Sequence, residues 1–314
     1  MGAIALASTS NMSRDEWHKW RRLGIGGSDA SAVAGLNRWR GPIEVWMEKM
    51  GKLEPRELGE AAYWGTTLED IVAKEFAKRS GLKVQKRNAI LRHPKYEFML
   101  ANLDRVINDS EKGKGILECK TAGEYSKSEW DDGNIPEEYA LQVHHYLAVT
   151  GYSFARIAVL IGGNKFEVRD IERDEEIIDY LVKIESDFWQ LVREGRQPEL
   201  NEMSVNPEVL KLLYPESNGL VVSLSDDVEK LVEQFKMLQE MEKEIVTKKD
   251  EMADRIKSHM GANEIGRTPN YKLNWKSIIS RRFDTASFKT KHKDLYDMFS
   301  SESSSRRFTV AKVK

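Results

Sequence analysis

Asp104, Glu118 and Lys120 stand as Asp-x13-Glu-Cys-Lys, between Leu103-Asp104-Arg105 and Ile116-Leu117-Glu118-Cys119-Lys120. As a β-hairpin this is one strand over about Leu100–Val106, a polar turn over Asn108–Gly115 and a second, short strand over Ile116–Lys120. Side chains alternate along a strand, so Glu118 and Lys120 share a face and Cys119 takes the other. With Asp104 facing them, two carboxylates and an ammonium converge. Two carboxylates suit Mg²⁺, a hard ion that prefers oxygen ligands and keeps several waters. A neighbouring Lys can position or, as the neutral amine, deprotonate a metal-bound water, and as an ammonium it neutralises charge on a phosphate. That is equipment for phosphodiester hydrolysis. The plain alternative is a solvated hairpin with a Glu118–Lys120 salt bridge. Against it, the apolar pair Ile116-Leu117 runs straight into charges, as in a strand whose end opens into a cleft.

The flanking pattern predicts a mixed α/β core with helices on both sides of the sheet. Ser13 and Glu16 form a capping box for a helix through about Arg22. Gly24-Ile25-Gly26-Gly27-Ser28-Asp29-Ala30 is a glycine turn into a short small-residue helix, and Pro42 starts another over about Ile43–Met50. Leu68, Ile71, Val72 and Phe76 give helical spacing from Trp64 to near Gly81. Strands are expected at Lys83–Val84, Ala89–Arg92, Phe98–Val106 and Ile116–Lys120. A helix follows over Glu137–Thr150, stopped by Gly151. Next come a hairpin, Ala155–Ile161 with Lys165–Asp170, and a long helix over Glu175–Glu194. Residues 1–12 are expected to be mobile.

The domain reading is a nuclease-like region at 13–200, a proline-containing linker at 201–224 and a C-terminal region at 225–314. The last holds a long helix from the Ser225 cap to about Met260. Its apolar positions Val228, Leu231, Phe235, Leu238, Ile245, Met252 and Ile256 are close to a heptad, broken by Glu242 and Lys249. That fits a helix packed on a partner or a weak coiled coil. Beyond it a strand is expected at Tyr271–Lys276, a helix over Phe283–Phe299 and a last strand at Phe308–Val313.

Composition bounds the classes. The chain of 314 residues has ample length for a core, and its one cysteine excludes an intramolecular disulfide framework and fits a reducing cytosol. No apolar run approaches the roughly 20 residues of a membrane-spanning helix. Ala3–Ala7 is too short and lacks the basic flank of a signal peptide. The net charge of −2 hides an asymmetry: residues 265–314 hold 12 Lys/Arg against 4 Asp/Glu, a net of +8 that leaves −10 on the other 264. A basic tail on an acidic body suggests a polyanion contact made by one region, or an intramolecular fit.

Ser28 has a physical case of its own. It follows two glycines and opens a helix, where free N–H groups and the helix dipole attract an anion, although a plain N-cap reads the same way. The glycines lack the Gly-Lys-Ser/Thr ending of a nucleotide-binding loop. His144 and His145 point about 100° apart on a helix, too far to share one metal easily, and are read as cleft-lining or packing residues. Five tryptophans, Trp17, Trp20, Trp39, Trp46 and Trp64, crowd the first 64 residues. Most belong to the core, and one of them suits stacking on an unpaired base.

Taken in order, these motifs resemble a known family. They are Arg21-Arg22-Leu23-Gly24-Ile25-Gly26-Gly27-Ser28-Asp29-Ala30, the Gly65-x-x-Leu68-Glu69 helix, Leu103-Asp104, Glu118-Cys119-Lys120 and Leu141-Gln142-Val143-His144-His145-Tyr146. Over about residues 14–200 the chain resembles the phage-type alkaline exonucleases of the lambda exonuclease / YqaJ recombinase group, on the PD-(D/E)XK restriction-endonuclease-like fold. Leu103 stands where the superfamily name has Pro. The resemblance implies a Mg²⁺-dependent 5′→3′ exonuclease on linear double-stranded DNA, with Mn²⁺ able to substitute. Its products are mononucleotides and a 3′ single-stranded tail on which a single-strand annealing protein loads. It also implies a homo-oligomeric ring, commonly a trimer, and a phage or prophage protein in a bacterial cytoplasm.

For the site, the resemblance implies that Asp104 and Glu118 hold the metal with the Cys119 backbone carbonyl, and that Lys120 assists the water. Glu69 reaches the metal directly or through water; otherwise it is a helix N-terminal acid. Gln142 orients the water or touches the phosphate without adding charge. Ser28 and Arg22 hold the 5′-phosphate, with Arg21 the open alternative to Arg22. Lys272, Lys276, Arg281, Arg282, Arg306 and Arg307 are candidates for DNA or partner contact. The rivals are an endonuclease or junction resolvase on the same fold, and a non-catalytic DNA-binding scaffold.

Overall fold

A computed structural model describes residues 2–53, 59–199, 207–302 and 305–312. The chain divides into two compact units, Met1–Leu210 and Lys211–Lys314.

The first unit is built on two sheets. Its elements are β1 (Ile4–Ser8), α1 (Arg14–Arg21), β2 (Ile25–Gly26), α2 (Gly27–Val33), α3 (Pro42–Lys49), α4 (Glu60–Ser80), β3 (Lys83–Lys86), β4 (Ala89–Arg92), β5 (Met99–Ala101), β6 (Arg105–Asp109), β7 (Gly113–Ala122), α5 (Glu137–Thr150), β8 (Phe154–Ile161), β9 (Lys165–Glu172) and α6 (Glu175–Glu194). Two short 3₁₀ turns, Glu124–Glu129 and Asp131–Gly133, join β7 to α5. The main sheet runs β3-β6-β7-β8-β9 and the smaller one β1-β4-β5-β2. β7 and β8 are parallel, joined through α5, while the other pairs of the main sheet are antiparallel.

This is the expected mixed α/β core flanked by helices. The two faces of β7 show why. Ile116 packs with Val143, Leu147, Ala155 and Ile157 on the α5 side, and Leu117 packs with Val72, Ala73, Phe76 and Ala158 on the α4 side. Each fully buried side chain of this size contributes about 1.5–3 kcal/mol, so the alternation fixes the register of β7 and, with it, the face of Glu118.

The expected strand over Phe98–Val106 is two strands in different sheets. β5 belongs to the smaller sheet and β6 to the main one, with the break at Asn102–Asp104. Leu103 is buried there, so a buried apolar run continues through a bend in the chain. Residues 4–8, expected to be mobile, form β1 and pair antiparallel with β4. α4 begins four residues earlier than its apolar spacing suggested, at the Gly59 cap.

The second unit holds α8 (Asp226–Met260), the hairpin β10 (Ile265–Arg267) and β11 (Lys272–Asn274), α9 (Thr285–Lys291) and α10 (Lys293–Met298). The division between the units falls within α7 (Pro207–Leu213), so part of the expected 201–224 linker is helical; 201–206 lie outside the described residues. The single helix expected over Phe283–Phe299 is broken at His292, whose φ of −136° leaves the helical region. No strand forms at 308–312, and Val313 lies outside the described residues. Among the described residues no helix is long and apolar enough to cross a membrane.

One buried polar pair ties the sheets to the helices. The His145 Nε2 lies 2.8 Å from the Leu100 carbonyl, and its Nδ1 lies 2.8 Å from Glu185 Oε1 on α6. Burial by itself lowers an imidazole pKa; the Glu185 carboxylate and the two hydrogen bonds outweigh it and raise His145 above 6.5. Burial raises Glu185 as well. Both shifts make stability fall as pH rises: the contribution of charged His145 is full below pH 6.5 and is lost as pH climbs through the raised folded value. Glu185→Gln is therefore expected to cost about 3 kcal/mol near pH 6. The deficit should shrink at higher pH, as read by urea unfolding across a pH series; a deficit that does not change with pH would contradict the ion pair.

Candidate active site

Asp104 stands at the break between β5 and β6, one step beyond the last register pair, Arg105 with Leu117, and so directly across from Glu118. Its Oδ2 accepts the Cys119 N–H at 2.8 Å. Glu118 is buried; its Oε1 lies 2.9 Å from Lys120 Nζ and accepts the Gln142 side-chain N–H at 2.7 Å. Lys120 also donates to Gln142 Oε1 at 2.9 Å. Gln142, one turn into α5, thus closes a ring of polar contacts with Glu118 and Lys120, and its amide also donates to Tyr146 Oη at 3.1 Å. The Lys120 ammonium lies 4.6 Å from the Tyr139 ring centre, and Tyr139 stacks on Trp130 at 5.6 Å. The salt bridge between Glu118 and Lys120 is present, then, but inside a buried cluster rather than on a solvated hairpin.

The electrostatics of the cluster are strained in one direction. Burial first, and then the charges of Glu118 and Glu69, push the Asp104 carboxyl well above its usual range; the Cys119 N–H and Lys120 offset only part of this. Burial would lower the Lys120 pKa, but Glu118 beside it raises the value. Glu118 Oε2 is buried without a hydrogen-bond partner. Two facing carboxylates, one orphaned oxygen and a single ammonium leave surplus negative charge in a desolvated place, an arrangement that fits a hard divalent cation. Among the described residues no group of three or more His, Cys, Asp or Glu side chains is placed to hold a metal. A cation here would accordingly take two carboxylates, a backbone carbonyl and waters.

Glu69 is engaged by an arginine in this structure. Its Oε1 accepts Arg105 Nη1 at 2.5 Å, and the same buried guanidinium also binds Asp70. Its charge still reaches Asp104 through space. The Cys119 side chain packs on the α4 face of β7, and burial pushes its thiol pKa up, away from nucleophilic character.

Beside this cluster lies a small pocket lined by Arg21, Gly26, Gly27, Ser28, Ile90, Leu100, Asn102 and Tyr146. Arg21 Nη2 donates to Ser28 Oγ at 2.8 Å and to Asp29 Oδ1 at 2.9 Å. Arg22 points elsewhere: its Nη1 comes within 3.7 Å of where a side chain at Gly51 would begin. Of the two adjacent arginines, the structure brings Arg21 to Ser28. The cause is Asp29, fully buried, which takes Arg21, Arg40 Nη1 at 2.7 Å and Lys49 Nζ at 2.7 Å, and receives the Gly26 N–H at 3.0 Å. Burial would raise the Asp29 pKa, but the three cations hold it well below the usual carboxylate range. In the sequence Asp29 is only one member of the glycine-turn motif; its three cations are 8 or more residues away, beyond any local pattern.

Tyr146 joins the two halves. Its hydroxyl meets Gln142, and its ring lies so close to Gly27 that an added Cβ would come within 2.4 Å of it. His144 bonds back to the Ala140 carbonyl at 2.8 Å and, with the buried His145, plays a packing part. Of the five tryptophans, Trp46 is buried and Trp17 and Trp20 are partly buried, while Trp39 and Trp64 are exposed. Trp39, 74% exposed, is carried on a loop held by the Arg38–Glu129 ion pair at 2.5 Å. In the second unit Lys272 lies on β11, and Lys276, Arg281, Arg282, Arg306 and Arg307 lie outside regular elements; all six are exposed. Arg306 donates to the Tyr214 carbonyl at 3.4 Å.

Comparison with known proteins bears on the whole chain. Residues 16–153 match the YqaJ-like viral recombinase domain. The chain is 46% identical over 316 residues to the protein YqaJ of Bacillus subtilis (strain 168), covering 99% of this chain and 98% of that one. Among solved structures it is similar to an alkaline exonuclease from Laribacter hongkongensis, at 19% identity and a TM-score of 0.49 over 58% of this chain and 93% of the other. A phage-related exonuclease from Haemophilus somnus 129PT aligns at 16% identity and a TM-score of 0.41, over 57% and 99% of the two chains.

The Gly27–Tyr146 contact yields a direct expectation. Gly27→Ala forces the Tyr146 ring aside, at about 1–3 kcal/mol, and pulls its hydroxyl from Gln142. Thermal unfolding should show the loss. A variant as stable as the parent would mean that Tyr146 and Gly27 are not locked together.

Proposed function

The chain belongs to the YqaJ-like viral recombinase family, and from that premise we propose that it is a Mg²⁺-dependent 5′→3′ exonuclease on linear double-stranded DNA. The observation that carries this reading is the adjacency of the Asp104–Glu118–Lys120–Gln142 cluster to the Ser28–Arg21 pocket, with Tyr146 common to both. One half is equipped to cut a phosphodiester, the other to grip an anion a short distance away.

In this reading Asp104 and Glu118 hold Mg²⁺, with the Cys119 carbonyl as a further ligand and Mn²⁺ as a substitute. The ion, when bound, supplies Lewis-acid polarisation of the phosphate and a water of lowered pKa. Lys120, fixed by Glu118, Gln142 and the Tyr139 face, orients the attacking water and offsets charge developing on the phosphate. Gln142 keeps Lys120 in register and presents an uncharged amide. Glu69 acts through its field and through Arg105 rather than as a ligand. Ser28 Oγ, the N–H groups at the start of α2 and Arg21 receive the terminal 5′-phosphate. Arg21 replaces Arg22 in this role. A gripped terminus sets the cleavage register by one nucleotide, which favours exonuclease action over internal cutting and so over an endonuclease or resolvase.

The product in this reading is a set of 5′-mononucleotides and a 3′ single-stranded tail for a single-strand annealing protein, in phage-type recombination within a bacterial cytoplasm. A ring, of trimeric kind, would keep the enzyme on its DNA. The exposed basic residues Lys272, Lys276, Arg281, Arg282, Arg306 and Arg307 are assigned to phosphate contact or to docking of the annealing partner.

The test is digestion of linear duplexes carrying 5′-phosphate or 5′-hydroxyl ends, beside a closed circle. Mononucleotides are expected from phosphorylated ends, with the circle intact. Lys120→Ala should lower the rate by about 10²–10⁴. Arg21→Ala should erase the preference for phosphorylated ends while Arg22→Ala keeps it. A cut circle would favour the endonuclease, and cleavage indifferent to Lys120→Ala would sink the assignment of the site.

A further inference from the structure

α8 is 35 residues, about 52 Å of helix, and among its residues only Met260 at the C-terminal end is buried. Most of its other large apolar side chains follow one stripe, with Val232, Met237, Met241 and Val246 lying off it. Written as heptads, Val228, Phe235 and Ile256 fall at the first core position, and Leu231, Leu238, Ile245 and Met252 at the second. The second set is uniformly open, each 59–62% exposed. Phe235 meets the Phe308 ring edge-on at 5.7 Å and is otherwise open. A stripe this long and this regular is a seam for another helix.

Two charges interrupt the seam, Glu242 and Lys249, both at the first core position and one heptad apart. They select the occupant. In a parallel pair of identical helices each would face its own copy, acid on acid and base on base. In an antiparallel pair with the two helices overlapped end to end, Leu231 lies level with Ile256 of the other copy, Phe235 with Met252, Leu238 with Lys249 and Glu242 with Ile245. Glu242 of each copy then lies about 6 Å along the axis from Lys249 of the other, within reach of a lysine side chain. Two symmetric ion pairs form, and the apolar layers on either side close. The register that brings these charges together also overlaps nearly all of Asp226–Met260.

We infer that α8 is an antiparallel homodimerisation helix, with a second copy of this chain as its partner and the Glu242–Lys249 pairs setting orientation. The inference does not depend on the nuclease reading: a twofold α8 pair joins two chains whether each is single or already part of a ring. It also gives Glu242 and Lys249 a purpose, where an apolar residue at either position would have made a tighter but less selective seam.

The experiment is sedimentation equilibrium of the full chain in four forms: wild type, Glu242→Lys, Lys249→Glu and the double exchange. Far-UV circular dichroism confirms that α8 stays helical in each. An association present in the wild type should weaken at least about tenfold in either single variant, where like charges meet, and return to within about threefold in the double exchange, where the pairs re-form with reversed sign. Identical mass distributions in all four forms would overturn the inference, whether the chain is monomeric or associates elsewhere. So would a double variant no better than the singles, which would point to a different partner helix.

Discussion

Asp104 and Glu118 face each other away from bulk water, and the local architecture turns on that placement. Like charges brought together out of water repel, and each costs free energy to bury. The chain meets this cost with Lys120 and Gln142 on Glu118 and with the Cys119 N–H on Asp104. Glu118 Oε2 stays unsatisfied, so the compensation is incomplete in the protein alone. The break between β5 and β6 exists at this point for a physical reason. A straight strand would carry Asp104 along one sheet; the bend passes the chain from the smaller sheet to the main one and sets Asp104 across from Glu118.

The second half of the site is organised by one buried carboxylate. Asp29 is surrounded by Arg21, Arg40 and Lys49. Arg40 is also paired with Glu48 and feels Glu44, while Arg21 reaches from Asp29 to Ser28. A buried carboxylate with three cations is rigid, because removing any partner strands a charge away from water. Ser28 and Arg21 are therefore held in place before any ligand arrives. β2 pairs with β5 through Gly26 and Leu100, and β5 leads into the Asp104 bend, so the Ser28–Arg21 pocket and the carboxylate pair share one strand as well as Tyr146.

Much of this was legible in the sequence. The alternation in Ile116-Leu117-Glu118-Cys119-Lys120 placed Glu118 and Lys120 on one face, and the structure keeps it so. The helices at Glu137–Thr150 and Glu175–Glu194 lie where their spacing and stop signals put them. What local pattern could not give were the contacts made at long range. Arg105 reads as an ordinary strand residue beside Asp104, yet it is buried and captures Glu69 from 36 positions away. Adjacent arginines look equivalent until Asp29 chooses between them. The Phe98–Val106 run reads as one strand because its apolar residues continue through the bend. β1 escaped notice because its pairing partner, β4, is some 80 residues distant.

The central claim is that Asp104 and Glu118 jointly hold a divalent cation, and it is tested most directly without DNA or turnover. Mn²⁺ is titrated into the full chain and the free ion is followed by electron paramagnetic resonance, with Mg²⁺ as competitor, for wild type, Asp104→Asn and Glu118→Gln. The account predicts saturable binding in the wild type, displaced by Mg²⁺ and lost in both variants while their fold is retained. Binding of equal strength in all three proteins, or none in the wild type, would contradict it.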